Sequence, residues 1–194
     1  METMNIRFNG TTALLMHSVA IAINPTHPLS IAIKKNQSIT AKKRTDEHAI
    51  ELMRLKWMQS IYHDDQIGPF IPAENVEATI RMAAQKRRKG KDVTCGLFVS
   101  PDRIPLIFDG PRDIDSLYAD ERFRDVRNAR IPSSKAAILV SRPRFNHWRI
   151  DFSLEYDPEI LNRHEIADFC TYAGVYVGLC DYRPRYGRFE SVVL

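Results

Sequence analysis

Residues 148–156, which read WRIDFSLEY, alternate apolar and polar side chains without interruption. The apolar set is Trp148, Ile150, Phe152, Leu154 and Tyr156, and the polar set is Arg149, Asp151, Ser153 and Glu155. Because successive side chains of a strand point to opposite faces, this pattern predicts a β-strand with one buried and one polar face. Such a strand needs a sheet that is covered on one side, which is typical of antiparallel sheets packed against helices.

The first part of the chain predicts two more strands. Met4, Ile6 and Phe8 alternate with polar neighbours. The almost continuous apolar run at 11–23 predicts a strand buried on both faces, and His17 within it is expected to be a core histidine.

The second part of the chain predicts a β-hairpin and two further strands. VTCGLFV, the turn sequence SPDR and the return IPLIF follow one another at 93–108, and the inward residues of the first strand are expected to be Val93, Cys95, Leu97 and Val99. The other two strands are predicted at AAILVSR and RFESVV, residues 136–142 and 188–193.

Three helices are predicted from apolar residues at helical spacing. Thr45 precedes the first helix, residues 73–88 form the second, and Gly90 is expected at the C′ position of the second. Asn162 and Glu165 have the spacing of a capping box and begin the third. The inward stripes are Ile50, Met53, Trp57 and Ile61; Val76, Ile80, Ala83 and Ala84; and Ile166, Phe169, Cys170, Ala173 and Val177.

The order of these elements predicts an α+β fold with a ferredoxin-like β-α-β-β-α-β core, a mainly antiparallel sheet and helical insertions. We expect residues 1–194 to form a single domain. A helical insertion is expected at about 29–90, between the first strand and the hairpin.

The loop between the last helix and the last strand has the composition of an anion-binding surface. It reads GLCDYRPRYGRF, and its candidate binding residues are Gly178, Tyr182, Arg183, Arg185, Tyr186, Gly187 and Arg188. Guanidinium groups match the geometry of phosphate, and tyrosine rings can stack on bases. The alternative is that the aromatic rings pack at the edge of the core while the arginines pair with Asp181 and Glu190.

Two other basic segments are candidate phosphate contacts. KRRKGK, at the end of the second helix, contributes Lys86, Arg87, Arg88, Lys89 and Lys91. The helix macrodipole alone favours cations there, so a solvated helix end is the alternative. RPRFNHWR, placed in a hairpin connection, contributes Arg142 and Arg144 and is a candidate to share a groove with the C-terminal loop.

The composition is that of a globular protein with a moderate preference for anionic partners. The net charge is +4, and 44% of the residues are hydrophobic. Cys95, Cys170 and Cys180 form no CxxC pair, which indicates a reducing, intracellular environment. No stretch reads as a signal peptide or reaches the roughly 20 apolar residues of a membrane helix. We therefore expect no membrane partner.

Signals for catalysis are weak, and no catalytic residue, metal site or cofactor is predicted. The sequence has no HExxH, P-loop or GxSxG motif. A small ribonuclease that uses one of the histidines remains a lesser alternative; the available residues are His17, His63, His147 and His164.

Three motifs together resemble a widespread family of small phage and prophage proteins of unassigned function. They are YHDDQIGPFIPAENVEA, DGPRDIDSLYADERFRD and GLCDYRPRYGRFE, and the resemblance extends from about residue 12 to the end. The family pattern has Gly where this chain has Cys180. The resemblance implies a cytoplasmic location in a bacterial host cell.

The fold and the glycine-flanked C-terminal loop also resemble the RAMP superfamily, the ferredoxin-like RNA binders of CRISPR systems. Gly178 and Gly187 lie where that superfamily carries a glycine-rich loop, although its usual cluster of three or more glycines is missing. The likeness implies RNA binding and self-association along the bound strand.

Two functional hypotheses follow. The first is a non-catalytic phage protein that binds RNA or single-stranded DNA through the Arg- and Tyr-rich C-terminal loop. The second is a protein–protein interaction or assembly component that inhibits a host defence complex, because Tyr and Arg are also enriched in protein interfaces.

Overall fold

A computed structural model describes residues 1–130 and 137–194. The strands are β1 (Glu2–Gly10), β2 (Leu14–Leu15), β3 (His63–Asp64), β4 (Gly68–Pro72), β5 (Leu97–Ser100), β6 (Arg103–Pro105), β7 (Arg124–Arg130), β8 (Ala137–Phe145), β9 (Arg149–Tyr156) and β10 (Phe189–Val193). The α-helices are α1 (Pro28–Gln37), α2 (Asp46–Ser60), α3 (Ala73–Gln85), α4 (Gly90–Gly96), α5 (Ile114–Ala119) and α6 (Arg163–Tyr172). Short 3₁₀ helices span Ala41–Lys43 and Glu121–Phe123, and a π-helix spans Ala173–Val177.

The chain forms two compact units. Residues 1–15, 63–110 and 145–194 form the first unit, and residues 16–62 with the described part of 111–144 form the second. That residues 1–194 act as a single domain, with an insertion at about 29–90, stays a prediction.

The first unit contains a four-stranded antiparallel sheet in the order β10-β1-β9-β5. Along the chain, β1, α3, β5, β9, α6 and β10 follow one another in the β-α-β-β-α-β order. Helices α3 and α6 pack against each other and against this sheet. The predicted α+β fold with a ferredoxin-like core is therefore confirmed.

The alternating patterns of β1 and β9 place their apolar residues on the same covered face. Phe8 and Phe152 are both buried, and their rings meet edge to face at 4.9 Å. The Phe8 ring also stacks on Phe189 of β10 at 3.9 Å. On the opposite face, Arg7 donates two hydrogen bonds to the Asp151 carboxylate, at 2.7 and 2.8 Å. The sheet is thus held by an aromatic cluster on one side and by an ion pair on the other.

The predicted helices that begin at Ala73 and after Asn162 are confirmed in their starts and orientation, although the first ends at Gln85 and not at 88. The inward residues of α3 are buried, as are Ile166, Phe169 and Cys170 of α6. The predicted capping box is present: the Glu165 backbone N–H donates to the Asn162 side chain, and the Asn162 backbone N–H donates to the Glu165 carboxylate. This cap fixes the start of the helix that leads into the C-terminal loop.

The predicted strand at 11–23 is wrong beyond Leu15. Only Leu14–Leu15 form strand, and Val19 and Ile23 are exposed. His17 is exposed as well, so it is not a core histidine. A continuous apolar run has no period, and hydrophobicity alone therefore did not determine its conformation.

The predicted hairpin at 93–108 is also wrong. Strand β5 pairs with β9, whereas β6 pairs with β4, so the strands on either side of SPDR belong to different sheets. Val93 and Cys95 lie in α4, and Cys95 is exposed. Gly90 begins α4 instead of ending α3, and Arg88 takes the left-handed conformation, with φ 60°.

The second unit is built on two helices and a strand pair. Helix α1 packs against α2, and the Trp57 indole N–H of α2 donates to the Phe123 carbonyl at 2.9 Å. Strand β7 pairs antiparallel with β8, and β8 includes Arg142 and Arg144. These two arginines therefore lie in a strand, not in the predicted hairpin connection, because the alternation of buried and half-buried residues continues to Phe145. Among the described residues, no helix has the length and hydrophobicity that crossing a membrane requires.

Candidate functional site

The C-terminal loop, residues 178–187, is closed at its end by two backbone hydrogen bonds of Gly187. The Leu179 N–H donates to the Gly187 carbonyl at 2.8 Å, and the Gly187 N–H donates to the Ala13 carbonyl at 2.8 Å. Gly178 and Gly187 have φ values of 77° and 73°, which favour glycine. A Cβ at Gly187 would lie 2.0 Å from the Leu179 carbonyl oxygen. The close backbone contact thus explains why position 187 is a glycine, and no bound ligand is needed to explain it.

Cys180 also has a left-handed backbone, with φ 62°. A non-glycine residue is uncommon in this conformation. The Asp181 N–H beside it donates to the Leu15 carbonyl at 3.0 Å, which fixes the chain where it turns into the arginine-rich part of the loop.

Arg183 extends from the loop to helix α3. One of its guanidinium nitrogens donates to Thr79 Oγ1 at 3.4 Å, and the Thr79 hydroxyl donates to the Gly178 carbonyl at 3.3 Å. Thr79 is fully buried, so this contact holds the base of the loop on α3. The guanidinium group therefore lies on the same side as the basic end of α3.

Two neighbouring cavities lie between the end of α3, helix α6, the π-helix and the C-terminal loop. The first has a volume of about 340 Å³ and is lined by Lys86, Arg87, Asp168, Thr171, Tyr172 and Tyr176, among others. The second has a volume of about 510 Å³ and is lined by Met82, Lys86, Tyr172, Tyr176 and Arg183, among others. We call this surface the tyrosine groove. It brings two of the predicted basic segments together at Lys86, Arg87 and Arg183.

Tyr172 and Tyr176 were not among the predicted site residues. Their rings lie 4.7 Å apart, and Tyr176 is 63% exposed. The available signal was two tyrosines four residues apart and outside the inward stripe of the last helix. The π-helix that carries Tyr176 had no such signal, although π-helical turns are frequent at functional sites.

Gly174 allows the π-helix to lie directly against β10. A Cβ at this position would be 2.1 Å from the Phe189 carbonyl oxygen. The Gly178 N–H closes the π-helix by donating to the Ala173 carbonyl, five residues earlier, at 2.8 Å. The exposed tyrosine is therefore held by backbone packing on a core strand.

The other predicted cations of residues 86–91 lie outside the tyrosine groove. Arg88 and Lys91 line a third cavity, of about 310 Å³, together with Arg81. Lys89 forms ion pairs with Glu165 at 3.1 Å and with Asp92 at 3.5 Å. The hydrogen bond that Lys89 donates to Glu165 is the largest cause of a raised Lys89 pKa, and the one that it donates to Asp92 acts in the same direction. Lys89 thus has a structural role at the start of α6.

The remaining predicted residues of the loop are exposed or half-buried. Arg185 and Arg188 are exposed, and the Tyr182 and Tyr186 rings lie 5.8 Å apart. Arg142 and Arg144 belong to the second unit, so a groove that they share with the loop stays a prediction.

The histidines considered for a ribonuclease have different surroundings. His17 and His147 are exposed. His63 lies 3.9 Å from the Asp65 carboxylate, and His164 lies 3.9 Å from the Asp168 carboxylate. Among the described residues, no three His, Cys, Asp or Glu side chains are grouped closely enough to hold a metal ion.

The three cysteines are free and differ in burial. Burial raises the pKa of the Cys170 thiol to about 12, and burial of the Cys180 thiol does the same although that residue is partly exposed.

Because the thiolate is the reactive form, we expect Ellman's reagent at mildly alkaline pH to react rapidly with Cys95 alone in the folded protein. After unfolding, all three thiols should react. Rapid reaction of Cys180 in the folded protein would contradict the packing of the loop.

No protein-family model matches the chain, and no curated protein matches it. The chain is similar in structure to a chain of the type III-B Cmr-beta bound to cognate target RNA, which was solved by cryo-electron microscopy. The TM-score is 0.53 and the sequence identity is 12%. The match covers 100% of this chain and 61% of that chain, so this chain spans about three fifths of its length. At this identity the likeness shows the fold.

Proposed function

We propose that the protein binds single-stranded nucleic acid, RNA or DNA, in the tyrosine groove, without cleaving it. The observation that carries the proposal is the convergence of Lys86, Arg87 and Arg183 around the exposed Tyr176 and the half-buried Tyr172. Cations from separate segments suit a phosphate backbone, and the tyrosine rings suit unpaired bases. The fold shared with a chain of the RNA-bound Cmr-beta favours RNA, and the resemblance to phage proteins favours a phage origin.

The helix macrodipole accounts for part of this arrangement only. Cations stabilise a helix C-terminus, so Lys86 and Arg87 would be expected at the end of α3 without any ligand. Arg183 arrives from another segment, however, and Tyr176 exposes its ring beside these charges. Exposed aromatic surface beside converging cations has no role in capping a helix, whereas both are needed to hold a single strand.

The double variant Lys86→Gln, Arg87→Gln is expected to bind oligonucleotides of about ten nucleotides at least about tenfold more weakly. Each lost phosphate contact also removes roughly 0.7 from the slope of log K against log salt, so the slope should decrease by roughly 1.4. Fluorescence anisotropy over a series of KCl concentrations measures both quantities for RNA and for DNA.

The matched control is Lys34→Gln, Lys35→Gln. This pair lies in the last turn of α1, so it removes the same charge from the same kind of helix end. The control should keep the affinity and the salt slope of the unmodified protein. Equal weakening by both double variants would show that only net charge matters and would contradict the groove as the site.

A second pair of variants tests the loop. Arg183 and Arg185 flank Pro184 and are both exposed, but only Arg183 lines the tyrosine groove. Arg183→Gln should therefore weaken binding more than Arg185→Gln does. The reverse order would place the strand on the other side of the loop.

A protein partner is the second candidate function, because Met82 and Val175 expose apolar surface beside Tyr176. Binding of an apolar protein surface depends less on salt than phosphate binding does. Co-purified protein that stays bound at high salt, without nucleic acid, would favour this candidate.

The ribonuclease alternative has its own test. Shortening of RNA during incubation with the protein, prevented by substitution of a histidine, would favour it.

A further inference from the structure

The two cavities of the tyrosine groove share one wall. Lys86, Tyr172 and Tyr176 line both of them. Their volumes, about 340 and 510 Å³, reach the range of roughly 300–1,000 Å³ that is common for ligand clefts. Two adjoining cavities that share an aromatic pair have room for one small planar group each.

The first cavity presents hydrogen-bond acceptors beside the cations Lys86 and Arg87, so it can hold a base next to a phosphate. The Asp168 carboxylate repels a phosphate placed directly against it, which leaves the phosphate to the two cations. The Thr171 hydroxyl, which also lines the cavity, already donates to the Ala167 carbonyl at 2.9 Å, so the lone pairs of its oxygen can accept. The carboxylate and the hydroxyl thus present acceptors, and a group that fits them must donate hydrogen bonds.

We propose that two successive bases of the bound strand separate at the Tyr172–Tyr176 pair, one in each cavity, and that the Asp168 cavity selects a base with an amino group. Lys86, which both cavities share, contacts the phosphate between the two nucleotides. This proposal rests on the proposed function of the tyrosine groove.

The amino group determines which bases fit beside Asp168. Cytosine, adenine and guanine carry exocyclic amines that donate to a carboxylate, as in cytosine–carboxylate contacts. Uracil has no amino group, and its N3–H lies between two carbonyl oxygens that the carboxylate repels. A strand of cytidines should therefore bind more tightly than a strand of uridines of equal length.

The test compares homo-cytidine and homo-uridine strands of about ten nucleotides, titrated into the folded full chain. The unmodified protein should prefer cytidine by about tenfold. Asp168→Asn should reduce this preference to near unity, since an amide replaces one acceptor oxygen by a donor. Tyr176→Leu should weaken binding of both strands on the order of tenfold, with an unchanged salt slope.

Matched controls separate local effects from general ones. Asp102→Asn removes an exposed carboxylate outside the groove, and Phe98→Leu removes an exposed aromatic ring of β5, also outside the groove. Both should keep the cytidine preference and the affinity, and melting temperatures should confirm that each variant is folded.

The outcomes distinguish this proposal from the function on which it rests. If both strands bind equally while Lys86→Gln, Arg87→Gln still weakens binding, the base selection is overturned and the groove remains the site. If Asp168→Asn keeps the preference for cytidine, the preference arises elsewhere and the proposal is wrong. If neither strand binds, the proposed function fails together with this inference.

Discussion

Replacement of Phe8 by alanine is expected to lower the free energy of unfolding by about 3–5 kcal/mol. The Phe8 side chain is 0% exposed and lies between the ring of Phe189, at 3.9 Å, and the ring of Phe152, at 4.9 Å. Alanine loses the transfer free energy of the ring and leaves a cavity between three strands of the sheet. Urea unfolding followed by circular dichroism measures the change. The slope of the unfolding free energy against urea concentration should be the same for the variant and the unmodified protein.

The matched control for Phe8→Ala is Thr3→Ala on the same strand. Thr3 is exposed and points to the opposite face, so its replacement should cost less than about 1 kcal/mol. A loss below about 1 kcal/mol for Phe8→Ala would show that β1 pairs with β9 in a register shifted by one residue, because such a shift exchanges the two faces.

The ferredoxin-like sheet was predictable because local pattern and tertiary burial agree there. Trp148 and Phe152 alternate with polar residues at the period of a strand, and the structure buries both. The helix cap at Asn162 could also be predicted from the sequence, because a capping box needs only two suitable residues three positions apart. Where a pattern has one period and one buried face, the sequence alone is sufficient.

The parts of the fold that were mispredicted depend on partners far away in sequence. The SPDR turn looked like the centre of a hairpin, but Leu97 pairs with Tyr156 and Ile104 with Ile71. Local turn residues indicate where the chain reverses and do not determine which strands pair. The strand prediction for the apolar run at 11–23 was wrong for another reason. The run has no alternation of apolar and polar residues from which a buried face could be assigned.

The candidate site was predictable in chemistry but not in assembly. Lys86, Arg87 and Arg183 were identified from charge and loop composition, yet nothing in their spacing indicates that they line one groove. The π-helix carries the exposed Tyr176 beside them, and Gly174 lets the backbone of that helix approach Phe189. A contact between a glycine and a distant carbonyl leaves no periodic signal in the sequence.

Gly187→Ala is expected to lower the free energy of unfolding by about 2–5 kcal/mol and to abolish nucleic-acid binding by the fraction that still folds. The backbone of Gly187 has φ 73°, which strains any residue with a Cβ. A Cβ would also lie 2.0 Å from the Leu179 carbonyl oxygen and 2.9 Å from the Leu179 nitrogen. The Leu179 N–H donates to the Gly187 carbonyl, so the methyl group forces apart the hydrogen bond that closes the loop.

Gly90→Ala is the control for this substitution. Its Cβ would lie 2.6 Å from Cγ of the exposed Gln85 side chain, which has to shift, but no closer than 3.6 Å to a backbone atom. Gly90 is also the first residue of α4, where alanine is favourable. We expect its stability and binding to match those of the unmodified protein. If Gly187→Ala unfolds like the unmodified protein and binds the same oligonucleotides equally well, the loop tolerates opening at its base. The contact between Arg183 and Thr79 would then not be what places the guanidinium group in the tyrosine groove.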